Sequence, residues 1–320
     1  MNLSICVIGR NESKNLPQMI QSLKLLSDLR LKYETIYIDS ASSDNSVELA
    51  KGFFTRTIVL KGSKNLCASA GRHVGTLVAN GDWILYLDGD MKLHQDFHDV
   101  LAKVCSKHAL NVGWVGRCDY IFDDGSKLLN VGTKREHNAT VDNFGGAVLL
   151  PKKIVLDSGN WTAGLFSNEE FELYTRLIEN NCEVRFTNSI MMEHYTHKIS
   201  SYRSMIACFS PGAALGKKFY GYGQLLAFRI QSKNIFKYIK YRPQPFIWSA
   251  FLLFSLASLV LGGLAISIIL LSLGLVISII RGGLKAPVFY TALMVQAVFG
   301  FFKYDAKYYP IIEKEYQKTL

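Results

Sequence analysis

Two aspartates separated by one glycine, Asp88 and Asp90, directly follow the apolar residues 83–87. A short apolar run of this kind is typical of a buried strand, so both carboxylates are expected at a strand end, where they can face one bound ion. Hard oxygen ligands suit Mg²⁺ or Mn²⁺, and such an ion would neutralise a diphosphate. An Asp-Gly pair is also typical of a turn between strands, so the short motif leaves both interpretations open.

Other polar side chains also follow predicted strands. Asn11 and Glu12 come after the apolar residues 3–8, and Asp39 comes after residues 35–38. Helical patterns are found between the predicted strands, at residues 16–26, 47–51 and 70–79. Strands that alternate with helices predict an α/β domain with a Rossmann-like, mostly parallel sheet. Ligands bind at the carboxyl ends of the strands in such sheets, so these polar side chains are expected to converge.

The net charge of +10 is concentrated in one part of the chain. Between His194 and Tyr304 there are 12 Lys and Arg residues and no Asp or Glu, which leaves 36 − 12 = 24 basic against 26 acidic residues elsewhere. This basic segment coincides with the most apolar one, which favours anionic membrane lipids as partners and argues against nucleic acid. Six scattered cysteines without a CxxC pair favour reduced thiols in a cytosolic domain.

The C-terminal third predicts attachment to a membrane. Residues 246–280 contain no charge, and Gly262-Gly263 divides them into two runs, which predicts a hairpin of two transmembrane helices. A third apolar run, residues 286–302, leaves open whether it spans, re-enters or lies flat. Residues 206–245 are basic and aromatic and predict an interfacial segment, although a cationic surface helix of a soluble protein fits them too.

The resulting domain boundaries are 1–205 for the α/β domain, 206–245 for the interfacial segment and 246–320 for the transmembrane hairpin, the third run and the tail. The first residues lack the basic start, the apolar run and the cleavage site of a signal peptide. We therefore expect a membrane protein, of a bacterial inner membrane, with its α/β domain in the cytoplasm.

Four segments resemble, in chain order, motifs of the family 2 glycosyltransferases, which have the GT-A fold. These segments are residues 3–12, 38–46, 70–90 and 166–173. The resemblance covers about residues 3–200. It implies an inverting, metal-dependent transfer of a hexose from a nucleotide-sugar, with a UDP-sugar expected. The acceptor implied is a lipid-linked or other membrane-associated saccharide in polysaccharide or glycoconjugate synthesis.

The resemblance also implies donor-binding roles. Asp39 would contact the base or ribose of the donor, with Asn11 and Glu12 beside it. Arg72 could support the phosphates, while an ordinary surface ion pair is the alternative for a lone arginine.

A metal site follows from the same resemblance. Asp88 and Asp90 would hold Mg²⁺ or Mn²⁺ on the diphosphate. His194 follows a predicted strand where family members often carry a metal-ligating histidine. His197 is its rival, and an ordinary surface histidine fits either position.

Glu170 aligns with the catalytic aspartate of the family, and Glu169 is adjacent. Inverting transfer needs one base near the acceptor hydroxyl, and a partly shielded carboxylate can have its pKa raised for that task. We favour Glu170, with Glu169 left open. Acidic residues in the first turn of a helix are also favourable without any chemistry. Trp161 could offer an aromatic face to the acceptor sugar, or it could pack in the core.

Three other functions are consistent with parts of the sequence. A polyprenyl-phosphate glycosyltransferase would use a lipid phosphate as acceptor and need little base catalysis. A nucleotidyltransferase would release pyrophosphate, but the Gly-rich, basic N-terminal loop typical of such enzymes is missing from the sequence. A non-catalytic membrane scaffold is disfavoured by the intact acidic residues of the motifs.

Overall fold

The computed structural model describes residues 2–29, 31–62, 66–105, 111–132, 135–141, 144–197, 208–209, 214–231, 235–241 and 243–318. The chain divides into two compact units. Unit 1 contains the chain up to Gly164, Glu169–Lys198 and the chain from Lys307 onward, and unit 2 contains Leu165–Asn168 and Ile199–Ala306.

The first half of the unit 1 sheet is parallel. Its strands are β1 (Leu3–Gly9), β2 (Tyr33–Asp39), β3 (Arg56–Leu60) and β4 (Trp83–Asp88), in the spatial order β3-β2-β1-β4. The helices that connect them are α1 (Leu16–Lys24), α2 (Ser46–Phe53) and α3 (Ala68–Val78). Successive residues of β1 alternate between two hydrophobic clusters, with Ile8 in one and Val7 in the other. The sheet is thus covered on both faces, which explains the continuous apolar runs that predicted these strands.

The second half of the sheet is mixed. Its strands are β5 (Met91–Leu93), β6 (Val112–Phe122), β7 (Lys127–Val131), β8 (Val148–Pro151) and β9 (Glu183–Thr196). Strand β8 lies antiparallel between β4 and β6, while β6 and β9 pair in parallel. The prediction of a mostly parallel sheet was therefore wrong for this half. A short buried strand has the same apolar pattern in either direction, so the sequence does not show which way β8 runs.

Three further helices belong to unit 1. They are α4 (His98–Cys105), α5 (Lys152–Asp157) and α6 (Glu169–Glu179). Helix α6 begins within residues 166–173, the last of the four segments that resemble glycosyltransferase motifs. Because α6 begins with Glu169 and Glu170, its acidic first turn interacts favourably with the helix dipole.

The C-terminal segment returns to unit 1. Strand β10 (Ile312–Gln317) pairs antiparallel with β3 at the edge of the sheet. Arg56 of β3 and Glu315 of β10 form an ion pair of 2.8 Å between side chains. The sequence did not predict this strand, and the chain from Lys307 onward groups with the α/β unit and not with the apolar helices.

Unit 2 is helical. Its described helices are α7 (Ala214–Gln231), α8 (Ile235–Tyr241), α9 (Gln244–Val260), α10 (Leu264–Gly282) and α11 (Ala286–Phe302). The predicted break at Gly262-Gly263 is confirmed, and Gly262 has a φ of +79°, which glycine adopts without strain. Across the described part of the chain, we find no helix with the length and apolar character needed to cross a membrane. The predicted transmembrane helices are therefore not supported.

Candidate active site

The loops that follow β1 and β2 are held together by side-chain to backbone hydrogen bonds. The amide of Asn11 donates to Ser42 Oγ at 2.8 Å, and Asn11 Oδ1 accepts from the Ser43 amide at 2.8 Å. The amide of Glu12 donates to Ser46 Oγ at 2.8 Å. Asn11 has a φ of 60°, a left-handed conformation that asparagine tolerates better than most residues. Two of the predicted donor-binding segments are thus brought together.

Asp39 lies at the end of β2 and is completely buried. Its two carboxylate oxygens accept hydrogen bonds from the Ser42 amide at 2.7 Å and from Ser42 Oγ at 2.5 Å. Burial raises the pKa of Asp39, and the two hydrogen bonds from Ser42 oppose that rise. In this structure Asp39 fixes the loop after β2, and its predicted contact with the base or ribose stays a prediction.

Glu12 belongs to an acidic cluster with Asp88, the last residue of β4, and Asp90, which follows the strand. A Cβ on Gly89 would lie 2.7 Å from Glu12 Cγ, so the glutamate side chain packs over a position that only glycine fits. Burial raises the pKa of Glu12 to about 7; a hydrogen bond from Asn15 lowers it, and the charges of Asp90 and Asp88 raise it. A bound cation would relieve the mutual repulsion of these carboxylates.

The pairing of β5 with β9 places His194 beside Asp90. Met91 lies opposite His194 in this pairing, and His194 Nε2 is 3.1 Å from Asp90 Oδ2. Burial lowers the pKa of His194, but the hydrogen bond to Asp90 prevails and the pKa is raised overall. The other oxygen, Asp90 Oδ1, is buried and has no hydrogen-bond partner among the residues that the structure describes.

His197, the rival of His194, lies elsewhere. Its Nδ1 atom is 2.7 Å from Asp123 Oδ2, and its side chain is 84% exposed. The structure thus places His194, and not His197, next to the predicted metal ligands.

These side chains fit a divalent cation only in combination with a substrate. Within the described ranges, no three His, Cys, Asp or Glu side chains converge closely enough to hold a metal ion by themselves. Asp90 and His194 offer one carboxylate and one imidazole side by side, and Asp90 Oδ1 is buried without a partner. Oxygen-rich ligand sets completed by phosphate oxygens and water are typical of Mg²⁺ in enzymes that act on nucleotides.

Arg72 links the predicted metal site to the acidic helix α6. It is 1% exposed, and its guanidinium donates to Asp88 Oδ1 at 2.7 Å and to Glu169 Oε1 at 2.9 Å. The alternative that Arg72 forms an ordinary surface ion pair is therefore wrong, because its side chain is buried. The two carboxylates occupy both ends of the guanidinium, so the structure favours a role for Arg72 in holding Asp88 in place.

The two adjacent glutamates of α6 have different environments. Glu169 is 5% exposed, whereas Glu170 is partly exposed. Burial and the charge of the neighbouring Glu170 together raise the pKa of Glu169 to about 8, against the opposing effect of Arg72. A carboxyl group with this pKa is mostly protonated at neutral pH and is paired with an arginine, so it is poorly suited to accept a proton from a substrate.

Trp161 is 1% exposed and lies in the hydrophobic core. Its ring meets those of Tyr86 and Phe144 edge-on at centroid distances of 5.2 and 6.1 Å, and Arg72 Cζ lies 5.2 Å from the ring centroid. This placement favours core packing over the predicted contact with an acceptor sugar.

Sequence reasoning missed Gly146. A Cβ at this position would overlap Asp88 Oδ2, so the absence of a side chain gives the aspartate its room. Only the Gly145-Gly146 pair in the sequence signalled it, and a glycine pair is equally typical of an ordinary turn.

The chain matches the family model Glycosyl transferase family 2 over residues 4–170, just over half of its length. It belongs to this family. The predicted family is confirmed.

Curated relatives agree with this assignment. An uncharacterized glycosyltransferase of Haemophilus influenzae is 21% identical over 187 residues, which cover 55% of this chain and 62% of that protein. Another, from Rickettsia prowazekii, is 28% identical over 111 residues, which cover 33% of this chain and 34% of that protein. The matches thus span less than two thirds of the length of these relatives.

Solved structures share the fold. TarS 1-349 of S. aureus superimposes with a TM-score of 0.52 at 13% identity, covering 92% of this chain and 90% of that one. Its complex with UDP-GlcNAc gives a TM-score of 0.53 at 12% identity, covering 95% and 94%. At this identity the likeness shows the fold alone. It confirms the α/β, GT-A-like fold of this glycosyltransferase, with a mixed sheet.

Proposed function

We propose that this family 2 glycosyltransferase transfers a hexose from a UDP-sugar, with inversion, to a hydroxyl of a lipid-linked or membrane-associated saccharide in polysaccharide or glycoconjugate synthesis. The observation that carries the proposal is the contact of Asp90 with His194 just after the end of β4, with Asp88 held beside them by Arg72. The complexes of TarS with UDP-GlcNAc and with UDP support a uridine nucleotide as donor.

In this proposal Asp90 and His194 would hold the metal ion, with Asp88 beside them. When bound, Mg²⁺ or Mn²⁺ would neutralise the charge of the diphosphate leaving group. Arg72 keeps Asp88 in position, since its buried guanidinium donates hydrogen bonds to the carboxyl groups of both Asp88 and Glu169. Asn11 and Asp39 shape the loops expected to hold the nucleoside.

Glu170 is the general base that we propose. It accepts the proton of the acceptor hydroxyl while that oxygen forms a bond to the anomeric carbon and the bond from this carbon to the diphosphate breaks. Glu170 lies in the same helical turn as Glu169, and its charge acts on both Asp88 and Glu169. The base is therefore close to the diphosphate site and retains access to solvent.

A polyprenyl phosphate is the second candidate acceptor, because the basic, acid-free segment between His194 and Tyr304 suits anionic lipids. A phosphate oxygen is already deprotonated at neutral pH and needs no base. Glu170→Gln should then leave the rate almost unchanged, whereas a hydroxyl acceptor predicts a large loss. The family match favours glycosyl transfer over the nucleotidyltransferase alternative. We place the enzyme at a membrane with unit 1 in the cytoplasm, as a part of this proposal.

Thermal shift with UDP-, GDP- and dTDP-sugars, each with and without Mn²⁺, tests the donor and the metal together. A ligand at 100 times its Kd adds about 2.7 kcal/mol of stability, so the correct donor should raise the melting temperature clearly. We expect UDP-sugars to act most strongly, and only in the presence of the metal. A larger shift with a GDP-sugar would overturn the uridine preference.

Asp90→Ala is the matching variant, and Asp157→Ala is its control, because Asp157 is 44% exposed in a surface pair with Lys153. Asp90→Ala should lose the metal-dependent shift and donor turnover while its melting temperature without ligand stays close to that of the parent. If Asp90→Ala turned over donor as fast as Asp157→Ala, the metal site would be refuted.

A further inference from the structure

The hairpin of α9 and α10 has an inverted burial pattern. Ser255 and Ser267 are 5% and 7% exposed, while the residues that follow them, Leu256 and Ile268, are 59% and 57% exposed. In a protein surrounded by water the polar side chain would face outward and the aliphatic one inward. The surroundings that this hairpin fits are therefore apolar.

The buried serines are fully engaged with each other. Ser255 Oγ donates to the Ser267 carbonyl at 2.8 Å, and Ser267 Oγ donates to the Ser255 carbonyl at the same distance. The two helices also approach closely, since a Cβ on Gly274 would lie 2.7 Å from Phe251 Cβ. Small residues and serine hydrogen bonds between helices, with aliphatic side chains outside, are the packing found where lipid replaces water.

The exposed apolar surface is large and surrounds much of α10. Fifteen large aliphatic or aromatic side chains between residues 253 and 280 are at least 43% exposed. At about 100° per residue, those of α10 cover an arc of roughly 200° of its circumference. A contact with one protein partner needs a stripe of only about 100°, so the arc fits a surrounding medium better than a second copy of the chain.

Charge identifies the medium more closely. The chain has 12 basic and no acidic residues between His194 and Tyr304, and Lys285 and Lys303 are exposed on either side of α11. Basic residues next to an apolar surface are attracted to anionic headgroups, by about 1 kcal/mol for each residue near the surface.

We propose that the α9–α10 hairpin inserts its aliphatic surface into the hydrocarbon of a bilayer that contains anionic lipid. This inference deepens the proposed function by naming the surface at which the enzyme meets its acceptor, but it stands on unit 2 alone. Insertion removes the exposed aliphatic side chains from water and leaves Ser255 and Ser267 satisfied by each other.

Flotation of the full chain with vesicles tests the proposal. The protein, diluted from detergent, is mixed with vesicles of phosphatidylcholine alone or of phosphatidylcholine with phosphatidylglycerol. We expect flotation with both, and stronger flotation with the anionic mixture at low salt. If the chain binds neither kind of vesicle, the proposal is overturned. If it binds both kinds equally at low salt, the preference for anionic lipid is overturned.

The variant is the triple substitution Leu256→Gln, Ile268→Gln and Val276→Gln. Each side chain is about half exposed, so its transfer from water into the bilayer should strengthen vesicle binding about tenfold. The triple variant should therefore bind vesicles at least about a hundredfold more weakly than the parent. Leu128→Gln with Leu129→Gln is the matched control, because these residues are 53% and 54% exposed in β7 of unit 1. If the triple variant does not fold, Leu256→Gln alone should show about a tenfold loss.

Two other outcomes are informative. A chain that forms a dimer in solution, and loses the dimer but no vesicle binding on the triple substitution, would show that the hairpin is a protein interface and overturn the proposal. Donor-induced thermal shift is measured in parallel and should be the same in the parent and the triple variant. If the parent floats with the vesicles but shows no donor-induced thermal shift, the proposed function is refuted and the membrane surface is supported.

Discussion

Replacing Glu169 and Glu170 by glutamine, one at a time, tests which of them is the base. Glu169 is 5% exposed, its Oε1 accepts a hydrogen bond from Arg72 at 2.9 Å, and burial raises its pKa to about 8. A carboxyl group whose pKa is raised this far is largely neutral at pH 7. Glutamine reproduces this neutral form and its acceptor oxygen. We therefore expect Glu169→Gln to change the rate by no more than a few-fold.

Glu170→Gln should behave differently, because it removes the group that accepts the proton. General base catalysis contributes about 10²- to 10⁴-fold, which corresponds to roughly 3 to 5 kcal/mol of the barrier. The assay is the initial rate of nucleoside diphosphate release with a hydroxyl acceptor at saturating donor. Donor-induced thermal shift should be preserved in both variants, so that a loss of rate reflects the chemical step and not donor binding.

The same pair of variants gives a readout of stability against pH. The pKa of Glu169 rises from 4.5 to about 8 on folding, so its contribution to stability is complete below pH 4.5 and is lost as the pH rises towards 8. Glutamine does not titrate. The melting temperature of Glu169→Gln relative to the parent should therefore be higher at pH 9 than at pH 5. A rate loss for Glu169→Gln as large as that for Glu170→Gln, or no such trend with pH, would refute this assignment of roles.

Three further substitutions test the site. Arg72→Met leaves the aspartate at the end of β4 without its counter-charge and should cost about 3 kcal/mol in thermal or urea unfolding, while Arg185→Met, in an exposed pair, should cost less than about 1 kcal/mol. Similar losses in the two would contradict a buried ion pair. His194→Ala should raise the Mn²⁺ concentration needed for half-maximal activity by at least about tenfold, and His197→Ala should leave it unchanged; the reverse order would exchange their roles. Gly146→Ala should weaken metal-dependent donor binding in the thermal shift assay, since its Cβ would displace the same aspartate, and unchanged binding would show that the site can adapt.

Continuous apolar runs made the first half of the sheet predictable. Strands β1 to β4 are buried on both faces, so their sequences contain little besides aliphatic and aromatic residues. The end of such a run fixes where the chain leaves the sheet, and with it the positions of Asp39 and Asp88. The helical patterns at residues 16–26, 47–51 and 70–79 likewise predicted α1, α2 and α3.

The contacts between side chains within the site could not be predicted from the sequence. Arg72 and Glu169 are 97 positions apart, and only the folded chain brings them within hydrogen-bonding distance. The choice between His194 and His197 depends on the register of β5 with β9, in which Met91 lies opposite His194. Spacing along one strand does not contain that information, because the register is set by both partners.

Polar edge strands were missed for the opposite reason. Strand β10 is almost entirely exposed, so neither an apolar run nor an alternation separates it from a solvated tail. The outward-facing hairpin of unit 2 was read correctly as apolar, but sequence hydropathy does not distinguish an aliphatic residue that faces inward from one that faces outward. The exposures of Leu256 and Ile268 supply that distinction.

Strand β10 also protects the protein from aggregation with other copies of itself. The backbone of β10 pairs with the amide and carbonyl groups along the outer side of β3, and β10, now the edge strand, carries charged residues such as Lys314 and Glu315. A chain shortened to end before Lys307 would leave that row unpaired, and an uncovered edge of this type accepts strands from neighbouring molecules. Strand β10 contributes little to the core, but it helps to keep the folded protein soluble because it prevents edge-to-edge aggregation through β3.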